Sequence, residues 1–306
     1  MKKLVFSLLF CFGFFLVLEG LAGQFTANDK LLLPDPDEIW RQPYGTRTEH
    51  GVEVRINKMG LRGPDIGDKQ YKRVATVGDS SIFGFLVNED ETFSAKIVQN
   101  LNSQGLEVEH INAAAPGHST FQSLSRLKWV LPSVKPDVLI VGNLWSDSAL
   151  AGFQDADLYH SNTFVFLTKS ALFRYLISLL YPDQYTVIRW HARPEDTAGI
   201  PPRVSLEEYR LNLLRIHDLA AQHGCRTVFL GLYLEEEPQD VPEDMASQYR
   251  SQMKAISHLK NTVFLDAKDA WEGKTDLFAD FLHPNAKGHL ELGNHFTPDI
   301  KALLKD

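Results

Sequence analysis

The sequence predicts an α/β domain whose parallel sheet carries helices on both faces. Three observations carry that prediction. Short apolar runs recur at 73–78, 107–112, 136–142, 226–233 and 262–266, each the length of a strand buried on both sides. Amphipathic segments lie between and after them, giving predicted helices at 91–103, 120–131, 166–180, 206–223, 245–258 and 285–303. The first run, Val74-Ala75-Thr76-Val77, stops abruptly at Gly78-Asp79-Ser80, as a strand does when its carboxyl end turns into a crevice above the sheet.

Taken in chain order, the first element is an apolar segment. Lys2-Lys3 precede a run from Leu4 to Leu18 that is interrupted only by Ser7 and Gly13. This pattern fits an export signal or a short membrane anchor. Gly20-Leu21-Ala22 offers small residues for cleavage, whereas residues 4–22 are long enough to span a bilayer with Glu19 at the far interface. Either way Lys2 and Lys3 stay in the cytoplasm and the chain after residue 23 is exported, to the periplasm or beyond. Residues 23–72 read as an N-terminal extension packed on the main domain, with turn signals at Pro34-Asp35-Pro36-Asp37 and Gly60-Leu61-Arg62-Gly63-Pro64 and one alternating stretch, Val52–Ile56. The main domain is expected over 73–306, with an insertion at about 148–204 that is dense in aromatics such as Phe153, Tyr159, Phe173, Tyr175 and Trp190. Such an insertion either buries its rings in a small core of its own or walls a binding site. The clearest helix is 206–223. A capping box at Ser205 and Glu208 starts it, Leu206, Tyr209, Leu213, Ile216 and Ala220 share a face, and Gly224 ends it.

Composition narrows the function. The 306 residues are 44% hydrophobic and 23% charged, and 31 basic against 39 acidic side chains give a net charge of −8, which disfavours a nucleic-acid partner. Two cysteines, Cys11 and Cys225, cannot form a disulfide scaffold or a cysteine-rich zinc site. Leu8-Leu9-Phe10 puts bulk where lipidation at Cys11 would need small residues, and Cys225 suits a buried packing role at the start of an apolar run. The chain has no Gly-x-Gly-x-x-Gly, no phosphate loop and no Gly-x-Ser-x-Gly elbow; His289-Leu290-Glu291 lacks the cysteine pair of a zinc deaminase.

Ser80 is the candidate nucleophile, because a hydroxyl on a turn at the carboxyl end of a parallel strand is open to a substrate above the sheet. A serine needs a base to take its proton, a carboxylate to orient that base, and donors for the developing oxyanion. Two histidines have an aspartate three residues before them, in Asp157-Leu158-Tyr159-His160 and Asp280-Phe281-Leu282-His283. The second pair is better placed: it follows the last predicted strand and runs through Pro284-Asn285-Ala286-Lys287-Gly288 into the terminal helix. Asp157 and His160 lie in the insertion and read as a surface polar cluster.

Gly78-Asp79-Ser80, Asn112-Ala113-Ala114-Ala115-Pro116-Gly117, the Pro136-Asp137 strand and Asp280-x-x-His283-Pro284-Asn285, in that order, resemble the GDSL esterases, or SGNH hydrolases, over roughly residues 73–290. Asn57-Lys58-Met59-Gly60-Leu61-Arg62 also resembles the extension of exported bacterial members. The resemblance implies a three-layer αβα sandwich with a five-stranded parallel sheet in flavodoxin-like order. It implies Ser80 as nucleophile, His283 as base, Asp280 as the orienting carboxylate, and the backbone N–H groups of Gly117 and Ser80 as oxyanion donors. The chain departs from the family at the third block, where Gly-x-Asn-Asp is usual. Here the strand runs into Gly142-Asn143-Leu144-Trp145-Ser146-Asp147, so that counting from Pro136 puts Ser146 in the place of the asparagine donor, with Asn143 as the alternative. The implied activity is hydrolysis of an O-acyl ester, short-chain and of the acetyl-carbohydrate type, on a small molecule or polysaccharide. The rivals are an acyltransferase with the same triad and an inert carbohydrate-binding or envelope-assembly protein on the same fold. No metal or organic cofactor is implied.

Overall fold

A computed structural model of the chain describes residues 2–25, 33–35, 37–150, 154–159, 167, 169–180, 201–233 and 245–305. Five strands form the central sheet, β5 (Lys72–Gly78), β6 (Val108–Asn112), β7 (Val138–Gly142), β8 (Arg226–Gly231) and β9 (Thr262–Asp266), after four short strands in the preceding region. Their order is β6-β5-β7-β8-β9 and every pair is parallel. Second-first-third-fourth-fifth is the flavodoxin-like order expected. It puts a topological switch point between β5 and β7, where crossovers leave in opposite directions and a crevice opens at the carboxyl ends. Val74, Val77, Leu139, Val141, Val228 and Phe229 are completely buried, as strands covered on both faces require.

Helices make the two outer layers. On one side α3 (Phe93–Ser103) packs against the terminal helix α11 (Ala286–Lys305), with the short α10 (Ala267–Trp271) beside it. On the other, α4 (Thr120–Val134) packs against α8 (Leu206–Gln222), which also meets α9 (Met245–Ile256). The Ser205–Glu208 capping box closes the start of α8 as predicted, and Tyr209, Leu213, Ile216 and Ala220 are its buried face. α4 runs three residues past the predicted end and carries Pro132 inside it, ending where Lys135 takes a left-handed conformation, φ 51°. Proline removes a single N–H, and the buried side chains Leu131 and Val134 on either side of it hold the turn in place.

The region before β5 is built of two antiparallel pairs, β1 (Leu33–Asp35) with β2 (Ile39–Arg41), and β3 (Gly45–Glu49) with β4 (Val52–Ile56). His50 and Gly51, both at positive φ, form the two-residue turn between β3 and β4, the geometry that matches strand twist. Buried polar contacts tie this region to the rest. Glu38 pairs with Arg126 of α4 at 2.6 Å, with both side chains buried. The Arg62 guanidinium donates to the carbonyls of Phe83, Gly84 and Val87, each at 2.7 Å, and burial lowers its pKa to about 10.

Upstream, α1 (Lys2–Phe25) contains an apolar stretch, Val5–Gly23, of 19 residues with mean hydropathy 2.3, long enough to cross a membrane. Within the predicted insertion the described helices are α6 (Asp155–Tyr159) and α7 (Ala171–Leu180); short helices α2 (Ser80–Phe83) and α5 (Trp145–Ser148) follow β5 and β7. Phe153, Trp190 and His160 lie outside the described residues.

Candidate active site

Ser80 begins α2 immediately beyond β5, and the residues before it explain why. Gly78 has φ 155°, and a Cβ there would sit 2.9 Å from the Gly142 carbonyl oxygen and 2.7 Å from Ile82 Cγ1, so only glycine lets β5 and β7 close at their ends. Asp79 is the N-cap of α2: its Oδ1 accepts from Ser81 N at 3.1 Å. Its Oδ2 accepts from Trp145 N at 3.0 Å, tying the turn after β5 to the turn after β7. Asp79 is wholly buried, and burial raises its pKa against the opposing pull of these N–H groups. Ser80 itself is half-buried.

The loop before α11 brings the other two members to Ser80. Asp280 folds back on its own backbone, Oδ1 accepting from Leu282 N at 2.8 Å and His283 N at 2.7 Å. Its Oδ2 lies 2.8 Å from His283 Nδ1, and His283 Nε2 lies 2.8 Å from Ser80 Oγ. With Asp280 ionised, Nδ1 carries the imidazole proton and Nε2 is left to accept from the serine hydroxyl. Partial burial pushes the Asp280 pKa up, but the hydrogen bonds from the His283 ring and from the backbone of His283 and Leu282 outweigh it and hold it below the ordinary value. The Phe85 ring lies 4.9 Å from the imidazole between centroids. Asn285 anchors the loop, donating to the carbonyls of Asp276 at 2.9 Å and Phe278 at 3.1 Å.

Gly117 sits at φ 74° in a loop gripped from three directions. Trp40 Nε1 donates to the Pro116 carbonyl at 3.1 Å. In a trans peptide the C=O and N–H point opposite ways, so this bond fixes the direction of the Gly117 N–H. Arg203 donates to the Gly117 carbonyl, bonds Gln122 of α4, pairs with the fully buried Asp155 at 2.7 Å, and stacks over Trp40. His118 Nε2 lies 3.0 Å from the Trp40 carbonyl, and burial drives the His118 pKa well down.

The third block holds both sequence candidates for a further oxyanion donor, Ser146 and Asn143, in different surroundings. Asn143 is fully buried, and its Nδ2 donates to the His118 carbonyl at 3.0 Å while Oδ1 has no partner among the described residues. Ser146 is half-buried in α5 with no hydrogen bond to the described residues. Asp147 braces α4 instead, accepting from Thr120 N at 2.9 Å and from its hydroxyl; burial lifts its pKa to about 8. Ser80, His283 and Asp280 are thus brought together, and Asn143 is joined to the Gly117 loop through His118. Asp157 is exposed on α6. Trp40, Asp155 and Arg203 were not singled out by the sequence, and Asp79 stood there only as part of Gly78-Asp79-Ser80, with no role of its own. Only Asp79 carried a local signal, an N-cap residue at the start of a helix. Among the described residues no group of His, Cys, Asp and Glu is arranged to hold a metal.

No family model and no curated protein matches this chain. Solved structures do. TesA aligns with TM-score 0.52 at 15% identity, over 76% of this chain and 99% of that one. The psychrotrophic esterase EstA from a Pseudoalteromonas species, in a structure inhibited by monoethylphosphonate, aligns with TM-score 0.50 at 16% identity, over 77% and 100%. An acetyl xylan esterase from Geobacillus stearothermophilus gives TM-score 0.50 at 16% identity, over 75% and 94%. The chain therefore has a three-layer α/β fold shared with known esterases. More narrowly, it is the SGNH hydrolase fold, so the resemblance carried by the motifs is met at the level of architecture.

Proposed function

We propose that the protein is a serine carboxylic ester hydrolase of the GDSL/SGNH type, with Ser80, His283 and Asp280 as its triad. The observation that carries this is the relay of two 2.8 Å contacts from Ser80 Oγ through the imidazole to Asp280. Ser80 attacks the ester carbonyl as its proton passes to His283 Nε2, giving a tetrahedral intermediate and an imidazolium stabilised by Asp280. The intermediate collapses, the C–O bond to the alcohol breaks, and His283 returns the proton to the departing oxygen. Water, deprotonated by the same histidine, then attacks the acyl-enzyme, releases the acid and restores Ser80.

The developing oxyanion is held by the N–H groups of Ser80 and Gly117, with the Ser146 hydroxyl as third donor. Ser146 is preferred over Asn143 because its hydroxyl is uncommitted, whereas the Asn143 amide already serves the His118 carbonyl. The substrate class is a short O-acyl ester, acetyl on an envelope or extracellular carbohydrate. An acetyl xylan esterase among the proteins of the same fold and an apolar N-terminal helix suited to export both favour that class. The chain after residue 23 acts outside the cytoplasmic membrane.

A fluorophosphonate probe tests the reaction class. The probe is expected to label the folded protein at Ser80, and Ser80→Ala to abolish the label with an unchanged circular dichroism spectrum. A folded protein that takes no label would be an inert binder on this fold. Aryl esters of increasing acyl length, run beside acetate release from acetylated polysaccharide, then test the substrate class.

A further inference from the structure

We propose that α1 is kept in the mature protein as a membrane anchor, and that α7 is locked to it through Glu19 and lies in the outer interface of the same bilayer. The proposal stands on α1 and α7 alone and does not depend on Ser80 being a nucleophile.

The first observation is the contact itself. A helix start leaves its first N–H groups without partners inside the helix. Those of α7 are supplied from α1: the Glu19 carboxylate accepts from Ala171 N, from Leu172 N at 3.0 Å and from the Ser170 hydroxyl at 2.8 Å. Ser170 in turn accepts from Phe173 N at 3.1 Å. Ala22, one turn on from Glu19, is 4% exposed, and a Cβ on Gly23 would stand 4.0 Å from the Ala171 Cβ. Ala22 and Gly23, which flank the candidate cleavage point, therefore sit in a helix–helix contact. Cleavage after Ala22 would remove Glu19 and strip α7 of the acceptors for its first two amides.

The second observation identifies the occupant of the exposed face. α7 reads Ala-Leu-Phe-Arg-Tyr-Leu-Ile-Ser-Leu-Leu, with only Arg174 and Ser178 strongly polar. Leu176 and Leu179 are 47% and 58% exposed, and Leu21 on α1 is 46% exposed. An apolar helix tied to the far end of a 19-residue span is continuous with the surface that the span itself presents to lipid. Glu19 falls near that end, where a hydrogen-bonded carboxylate costs far less than at the bilayer centre. Lys2 and Lys3 mark the opposite, cytoplasmic end.

The test uses the full chain produced in a bacterial host. Intact mass and N-terminal sequencing of the mature protein are expected to find Glu19 still present, in a membrane fraction that resists carbonate extraction. A mature protein beginning at or after Gly23 overturns the proposal. Cysteines introduced one at a time, Leu179→Cys and Leu211→Cys, the latter an exposed site on α8, are compared in a Cys11→Ser background, which leaves only the buried Cys225, with a water-soluble maleimide on intact membranes. Position 179 is expected to react about tenfold more slowly; equal rates overturn the interfacial placement of α7. Glu19→Leu is expected to leave the chain anchored but to speed cleavage of α7 by added protease. An unchanged cleavage rate overturns the lock through Glu19.

Discussion

Ser80 can be found in the sequence because its surroundings are local. A glycine that must accept a close neighbour, an aspartate that caps the next helix, and the serine itself are consecutive. Asp280 and His283 are three residues apart for a similar reason: the aspartate holds the loop by bonding its own backbone and still presents its second oxygen to the imidazole. The oxyanion side is less legible. Counting along a strand cannot say whether Asn143 or Ser146 faces the substrate, because that depends on where β7 stops and α5 begins. If Ser146 is the third donor, Ser146→Asn lengthens its reach and should raise kcat on an aryl acetate; one oxyanion donor is worth ~2.7–4 kcal/mol elsewhere. A fall in kcat with unchanged melting would move the role to Asn143. Trp40→Phe keeps the buried ring but deletes the N–H that holds the Pro116 carbonyl. It is expected to lower kcat about tenfold with KM unchanged, since the bond orients the proposed Gly117 donor, which would act mainly in the transition state; loss confined to KM would deny it that role.

At the scale of elements, apolar runs and capping signals located all five sheet strands and the ends of α8 to within two residues or so. They worked because a parallel sheet covered on both faces must be apolar throughout. The same rule failed for β3. Gly45-Thr46-Arg47-Thr48-Glu49 is polar, and it is a strand because β4 pairs with it across a His50-Gly51 turn, with Arg47 and Glu49 buried. Helix packing is likewise invisible locally. Gly293 of α11 allows α3 to approach so closely that a Cβ would meet Lys96 Cβ at 2.5 Å and the Phe93 carbonyl oxygen at 3.0 Å. Gly293→Ala should therefore destabilise the protein by roughly 1–3 kcal/mol, although alanine favours an isolated helix. Thermal melting reads the sign directly, and a raised Tm would show that the helices can separate at little cost.

For the whole molecule, burial of polar groups links stability to pH. His289 is held neutral with its pKa lowered to about 3, His110 to about 4, and His118 well below the ordinary value, burial being the leading cause in each. His289 Nδ1 accepts from Phe93 N at the start of α3, a bond that protonation would break. Folded-state values below the unfolded value mean that the unfolded chain binds more protons, so this contribution is complete above about pH 6.5 and is lost as the pH falls. Asp147 and Asp79, raised by burial, oppose it over the same range. Three histidines against two carboxyls leave a net loss of stability between about pH 6.5 and about 4, to be measured as a falling urea midpoint. A midpoint that rises toward acid would mean that the carboxyls dominate.

The sequence by itself determined the class of fold, the turn that carries Ser80 and the pairing of Asp280 with His283, because each rests on a local pattern: strand polarity, a capped turn, a carboxylate three residues before its imidazole. Tertiary structure alone decided what surrounds the Gly117 loop. Trp40, Asp155, Arg203 and Gln122 come from separate stretches of chain, and none has a neighbour in sequence that announces its role. Their common feature is burial, which makes an unpaired polar group costly and so compels each to find a partner wherever the fold brings one. The composition of the N-terminal segment fits a signal or an anchor equally well, and the Glu19 contact to α7, which the sequence does not announce, is what the proposed anchor rests on.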